Sequence, residues 1–167
     1  MIYLGIGSNL PSEAFGAPVM NCRAAIDRLA KSGLGASVQS PYYETAPVPV
    51  SDQPWYVNCV VGIAATALNP REALSACLEI EAALGRVRTV RNAARIADID
   101  LIAWHDRVID EQPDLIVPHP RMAARAFVLR PLADIAPDWR HPATGEKIAD
   151  LIVNLPSNQH IRPLKTK

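Results

Sequence analysis

Apolar residues in this chain switch between short runs and helical spacing in the order β-α-β-β-α-β, and that order constrains the fold more than any other feature. Ile2 to Ile6 is a short apolar run stopped by Gly7-Ser8-Asn9, the pattern of a strand ending in a polar turn. Val19, Cys22, Ile26, Leu29 and Ala30 recur at helical spacing, with Gly33 and Gly35 as stops. Ala36 to Thr45 and Tyr56 to Ala65 read as strands, separated by a proline-rich loop from Ala46 to Pro54. Asn69-Pro70-Arg71-Glu72 is a helix start: Asn can cap, Pro suits the first turn, and Glu can close a capping box. Leu74, Cys77, Leu78 and Leu84 form the stripe of that helix, and Gly85 fits its end. A polar, arginine-rich loop from Arg86 to Ala94 leads to a strand over Ala97 to Trp104. Helical spacing returns over Phe127 to Ile135 and Glu146 to Val153, and the polar tail from Pro156 reads as loose.

This is the split βαβ pattern, an α+β fold of the ferredoxin-like class: an antiparallel sheet with helices packed on one face. At 167 residues, 49% of them hydrophobic, the chain is expected to form a single domain over 1–167. Basic and acidic residues balance at 17 each, so bulk charge predicts no nucleic-acid partner and no membrane partner. Cys22, Cys59 and Cys77 lack metal or redox spacing and sit among apolar residues, which predicts buried free thiols in a reducing, cytoplasmic compartment. The sequence contains no phosphate-binding G-x-x-x-x-G-K-[ST] loop and no G-x-S-x-G elbow, and Gly5-Ile6-Gly7 lacks the third glycine of the dinucleotide fingerprint.

The acids of Asp98-Ile99-Asp100 are two apart on a strand and project from one face, with Cα atoms about 6.5 Å apart. Such a pair can share divalent cations that clamp a phosphate, or it can be the solvent side of an edge strand. Arg86, Arg88, Arg91 and Arg95 crowd the approach, and arginine suits bidentate phosphate contacts; the alternative is a solvated basic loop. Glu81 falls on the apolar stripe near a helix C-terminus, where a negative charge is disfavoured, so it needs a partner in Arg86 or Arg88. His119, between Pro118 and Pro120, is either a rigidly mounted imidazole or a turn histidine. Tyr56 and Asn58 share a strand face, and an aromatic beside an amide suits a flat heterocycle, although core packing explains an aromatic such as Tyr56 or Phe127 taken singly.

Taken in order, these pieces resemble the 6-hydroxymethyl-7,8-dihydropterin pyrophosphokinase family of folate biosynthesis. The resemblance rests on Gly7-Ser8-Asn9, Tyr43-Glu44-Thr45-Ala46-Pro47, Gln53-Pro54-Trp55-Tyr56-Val57-Asn58, Glu81, Gly85-Arg86-Val87-Arg88, Arg91, and Arg95 before Asp98-Ile99-Asp100. It continues through Val117-Pro118-His119-Pro120 and Arg125-Ala126-Phe127-Val128-Leu129, nearly the whole chain. It implies transfer of the terminal pyrophosphate of ATP to the pterin hydroxymethyl group, with release of AMP. It implies that Asp98 and Asp100 bind two Mg²⁺ and that Arg86 and Arg95 neutralise the polyphosphate. Arg88 and Arg91 would lie in a loop that closes over ATP, and His119 and Arg125 would contact ATP. Tyr56 and Phe127 would sandwich the pterin, with Asn58 and Thr45 on its edge. The partners expected are ATP and a pterin, with a monomer as the default.

One stretch departs from the family pattern. Where the family loop reads Arg-Trp-Gly-Pro-Arg, this chain has Arg91-Asn92-Ala93-Ala94-Arg95, which lacks the aromatic and the Gly-Pro turn. That departure keeps open a diverged relative, acting on a related pterin or binding pterin or nucleotide with little catalysis. A third reading, an RNA-binding module, lacks the RNP-type aromatic and basic sequence.

Overall fold

The computed structural model describes residues 1–86 and 94–165. Its main sheet has the order β5 (Asp98–Trp104), β1 (Ile2–Ser8), β4 (Tyr56–Ile63), β3 (Tyr43–Thr45) and β8 (Ile161–Pro163), with β2 (Val38–Gln39) also paired to β4. Every pairing is antiparallel. With α1 (Pro18–Lys31) and α2 (Pro70–Ala83) as the crossovers, this is the ferredoxin-like arrangement expected from the element order.

Helices lie on both faces, not one. Ile2, Leu4 and Ile6 of β1 pack with Cys22, Ala25 and Leu29 of α1 and with Cys77 and Ile80 of α2. On the opposite face, Tyr3, Val60 and Ile102 pack against Val128, Leu129 and Leu132 of α3 (Ala126–Ile135) and Ile148 and Leu151 of α4 (Ile148–Val153). Leu129 and Leu132 are fully buried, and each such side chain contributes about 1.5–3 kcal/mol by leaving water. The reason is in the strands: residues of both parities in β1 and β4 are apolar, so the sheet has two faces to cover.

Local signals survive with small shifts. The Asn69 side chain accepts from the backbone N–H groups of Arg71 and Glu72, and the Glu72 carboxylate accepts from the Asn69 N–H at 2.7 Å, closing the capping box. Gly85 takes a positive φ of 91°, a conformation glycine adopts without strain. The strand expected over 36–45 is broken at Ser40-Pro41, where the Ser40 hydroxyl accepts from the Val60 N–H at 3.0 Å. The tail is not loose: β8 pairs with β3. A hairpin of β6 (Ile109–Glu111) and β7 (Leu115–Val117) adds to the elements expected from the sequence. Leu78, expected in the apolar stripe of α2, is 39% exposed, while Ala73, Cys77, Ile80 and Glu81 are the buried positions. All three cysteines are buried free thiols, and burial pushes Cys22 and Cys77 up to about 12.

Candidate active site

α3 covers only part of its sheet face. At the end it leaves open, β1 contributes two glycines, which line a small recess with Asn58, Asp98, Asp100 and Phe127 beside the main pocket. Gly7 lies between Asn58 of β4 and Asp98 of β5, and Gly5 lies opposite Asp100. A Cβ at residue 7 would stand 2.7 Å from the Asn58 Oδ1, so the close approach of that amide requires glycine. The pocket encloses about 970 Å³ and brings together ten of the site residues expected from the sequence. They are Thr45, Tyr56, Asn58, Arg86, Arg95 and Asp98, together with Asp100, His119, Arg125 and Phe127. Arg88 and Arg91, also expected there, lie outside the described residues.

Strand alternation places Asp98 and Asp100 on the pocket face and turns Ile99 and Leu101 into the core. Arg86 donates to the Asp98 Oδ1 at 2.6 Å, and Arg95 donates to the Oδ2 at 2.7 Å. Arg86 also pairs with Glu81, which is buried at 2% exposure and whose Oε1 accepts from the Ile99 N–H at 2.7 Å. The acid on the apolar stripe of α2 therefore has the partner its position demanded, and it ties Arg86 to the strand that carries the acids. Arg125 pairs with Asp100 at 3.3 Å and stands 5.2 Å from the centre of the Phe127 ring.

Burial raises the Asp100 carboxyl above the ordinary carboxylate range; the Asp98 charge adds to this, while His119 and Arg125 pull it back. Burial lowers His119 and Arg125, with Asp100 opposing in both cases. For Arg95, burial works downward, but the charge and hydrogen bond of Asp98 give a net rise. Burial also raises Tyr56. The His119 Nδ1 accepts from the Arg121 N–H at 3.1 Å, which leaves Nε2 as the protonated, donating nitrogen of the neutral ring.

The other end of the pocket is built from neutral groups. Asn58, buried on β4, donates to the Thr45 Oγ1 at 2.7 Å. The Tyr56 hydroxyl donates to the Gln53 Oε1 at 3.1 Å. Asn9, buried at 1% exposure, donates from Nδ2 to that same Gln53 Oε1 and to the Pro54 carbonyl, both at 3.2 Å. Its Oδ1 accepts from the Arg95 N–H at 2.8 Å. Asn9 thus joins the loop before Tyr56 to the backbone of an arginine that holds Asp98. In the sequence Asn9 is only a turn residue within a matched motif; its role depends on contacts across more than forty residues and leaves no local signal. Leu74 and Leu78 of α2 and Leu115 and Ile116 of the hairpin form an apolar side of the pocket that the sequence also did not reveal.

The donor set fits Mg²⁺. Two carboxylates share one face, and hard oxygen ligands of this kind suit that ion. Among the described residues no group of three or more His, Cys, Asp or Glu gathers as a closed cage, so phosphate oxygens and water would complete the coordination.

The chain matches the family model described as 7,8-dihydro-6-hydroxymethylpterin-pyrophosphokinase over residues 3–137. It is 42% identical over 154 residues to the 2-amino-4-hydroxy-6-hydroxymethyldihydropteridine pyrophosphokinase of Methylorubrum extorquens, covering 92% of each chain. It is 36% identical over 148 residues to the folic acid synthesis protein fol1 of Pneumocystis carinii, covering 89% of this chain and 19% of that one. A solved structure of HPPK-DHPS in complex with substrates superposes with a TM-score of 0.63 at 14% identity, over 91% of this chain and 42% of the other; at that identity the likeness concerns the fold.

Proposed function

Because the chain belongs to the 7,8-dihydro-6-hydroxymethylpterin-pyrophosphokinase family, and so carries pyrophosphokinase activity in folate biosynthesis, we propose that the pocket on the open end of its sheet is where ATP and the pterin meet. The observation that carries this reading is the acid pair with an arginine on each carboxylate, set beside a buried amide and two aromatic rings.

Asp98 and Asp100 would hold Mg²⁺, in this reading two ions. Mg²⁺ bound there would supply Lewis-acid neutralisation of the phosphates and ease ionisation of the substrate hydroxyl. Arg86 and Arg95 turn from the Asp98 carboxylate toward the polyphosphate and neutralise charge as it builds during transfer. Their present pairing with Asp98 keeps both guanidinium groups in the pocket before ATP arrives. His119, with Nε2–H free to donate, and Arg125 contact ATP, and Arg88 and Arg91 are further candidates for binding it. The apolar cleft of Leu74, Leu78, Leu115 and Ile116 suits the adenine ring. At the neutral end, Tyr56 and Phe127 cover the two pterin faces, and Asn58 and Thr45 bind its edge. The hydroxymethyl group then lies between the amide end and the acids, in line for attack on the β-phosphorus, and positioning supplies much of the rate. The chain acts as a single domain over 1–167, as a monomer and in the cytoplasm; no described helix is long and apolar enough to cross a membrane.

The test is an assay with ATP, Mg²⁺ and 6-hydroxymethyl-7,8-dihydropterin that measures both AMP release and product mass. The wild-type chain turns over, and Asp98→Ala and Asp100→Ala do not while remaining folded. Undiminished AMP release in either variant overturns the assignment of the acids. The departure at Asn92-Ala93-Ala94 favours a second reading, a shifted pterin preference, and faster turnover of a related pterin in the same assay would establish it.

A further inference from the structure

The match to the family model ends at residue 137, yet a later segment runs back against β3 and the entry of α3, two elements that contribute residues to the pocket. Gln159 sits beside the entry of α3, where its Oε1 accepts from the Ala126 N–H at 2.8 Å and its Nε2 donates to the Ala124 carbonyl at 2.7 Å. These two bonds bracket Arg125 and lie one residue before Phe127. The first turn of a helix leaves backbone N–H groups without intrahelical partners. Arg125, at the N-cap of α3, makes no side-chain capping bond, so an amide from more than thirty residues downstream does the capping. The next two residues grip the opposite wall. The His160 carbonyl accepts from the Ala46 N–H at 3.0 Å, and Ile161 pairs with Thr45 in the β3–β8 ladder. Three consecutive residues therefore connect the helix that presents Phe127 to the strand that presents Thr45.

We propose that Gln159–Ile161 is a positioning clamp that sets the spacing between the Phe127 and Thr45 walls of the pocket, with Gln159 as its positioning residue. The inference rests on the reading of those walls as the pterin site. Gln159 touches no reacting group; it acts through the backbone on either side of Arg125. The chemistry at residue 159 is specific, because the primary amide accepts from one backbone group through its oxygen and donates to another through its nitrogen. Glutamate keeps the acceptor for Ala126 but turns a second oxygen on the Ala124 carbonyl, and methionine has nearly the same length and offers neither bond.

Steady-state kinetics and equilibrium binding of 6-hydroxymethyl-7,8-dihydropterin are measured for wild type, Gln159→Glu and Gln159→Met, together with amide hydrogen exchange. Gln159→Met raises the KM and Kd for the pterin about tenfold, the equivalent of one or two well-placed hydrogen bonds. The KM for ATP rises less, by about threefold at most, because Arg125 lies within the clamp while Arg86, Arg95 and His119 lie outside it. Gln159→Glu falls between wild type and Gln159→Met. The Ala126 amide exchanges faster in Gln159→Met, while amides of β1 keep their protection. Wild-type pterin affinity in Gln159→Met overturns the proposal. So does an equal loss for both substrates with protection falling throughout the sheet, which marks Gln159 as general structural support. A wild-type chain that binds pterin without turning it over counts against the proposed activity alone, and the binding series still decides the clamp; absence of pterin binding by wild type overturns the clamp too.

Discussion

At the acidic end of the pocket, Asp98 is held by Arg86 and Arg95 and Asp100 by Arg125; at the amide end, Asn58 is held by Thr45, and Tyr56 is held through Gln53 to Asn9. The first set joins charges on long, rotatable side chains. The second joins neutral groups on short ones, fixed by strand register and backbone. Partly exposed ion pairs contribute little net stability and exchange partners readily. Buried neutral hydrogen bonds are strongly missed when one member is lost. On the proposed reading, the acidic end is a reserve of charge to be redistributed onto an incoming polyphosphate, and the amide end is a preformed mould. A reaction between a highly charged molecule and a flat neutral one calls for both.

The largest expected effect separates the two ends. Asp98→Asn and Asp100→Asn keep the side-chain size and remove the charge, and turnover should fall about a thousandfold or more, as losses of preorganised charge in such sites do. Binding of the dihydropterin, measured without ATP, should change by less than about threefold, since the acids and the mould share few partners. A pterin affinity that fell as far as turnover would show one coupled wall rather than two.

The mould is broken at Gly7. Gly7→Ala places a methyl group 2.7 Å from the Asn58 Oδ1, and Asn58 cannot retreat without leaving Thr45. Overpacking of this kind costs about 1–3 kcal/mol, which, if it falls on the bound state, corresponds to roughly a 5- to 150-fold loss in pterin affinity. Gly5→Ala is the control: its Cβ meets the Ile102 Cδ1 at 3.3 Å, the far end of a flexible side chain, so the loss should be smaller. Equal effects at both glycines would remove the special status of the amide. Asn9→Ala cuts the link between the ends and should lower stability by about 2 kcal/mol, read as a shift in the urea midpoint, because the Arg95 N–H loses a buried acceptor.

How much of this was legible depends on how far each signal reaches along the chain. The α2 boundaries could be read because Asn69, Pro70 and Glu72 act on one another within a turn. The acids and the arginines beside them could be read because strand parity and proximity in sequence bring them together. Gly7 was visible only as part of a turn, since its necessity comes from Asn58, fifty-one positions away and opposite it in register. Asn9 with Gln53, and Gln159 with Ala126, are equally non-local. The tail carries no strand signal because β8 has three residues, two of them exposed, and ends in proline; backbone pairing with β3 outweighs that weak local preference. The second helical layer is not legible in the sequence because periodicity identifies an apolar stripe without saying which sheet face receives it.

The smallest expected effect concerns two histidines, one in the pocket and one remote from it. His141 accepts at Nδ1 from the Ala143 and Thr144 N–H groups, both at 3.3 Å, within a turn far from the acids. Burial lowers it from 6.5, and Glu146 opposes that shift. A histidine whose folded value is lowered binds fewer protons folded than unfolded, so its contribution to stability is complete above 6.5 and is lost as pH falls toward the folded value. His119 has the same sign, also from burial. Asp100 has the opposite one: its raised carboxyl favours the folded state below 3.8 and loses that contribution as pH rises through its folded value. The urea midpoint of the wild-type chain should therefore fall on acidification just below 6.5, and His141→Gln should flatten that fall. His119→Gln should also flatten it, but less cleanly, because removing the imidazole takes away a cation that restrains Asp100 and so shifts the opposing contribution as well. A larger and simpler change from His119→Gln than from His141→Gln would mean that Asp100 and His119 titrate independently, and that the acidic end is less tightly joined than its contacts indicate.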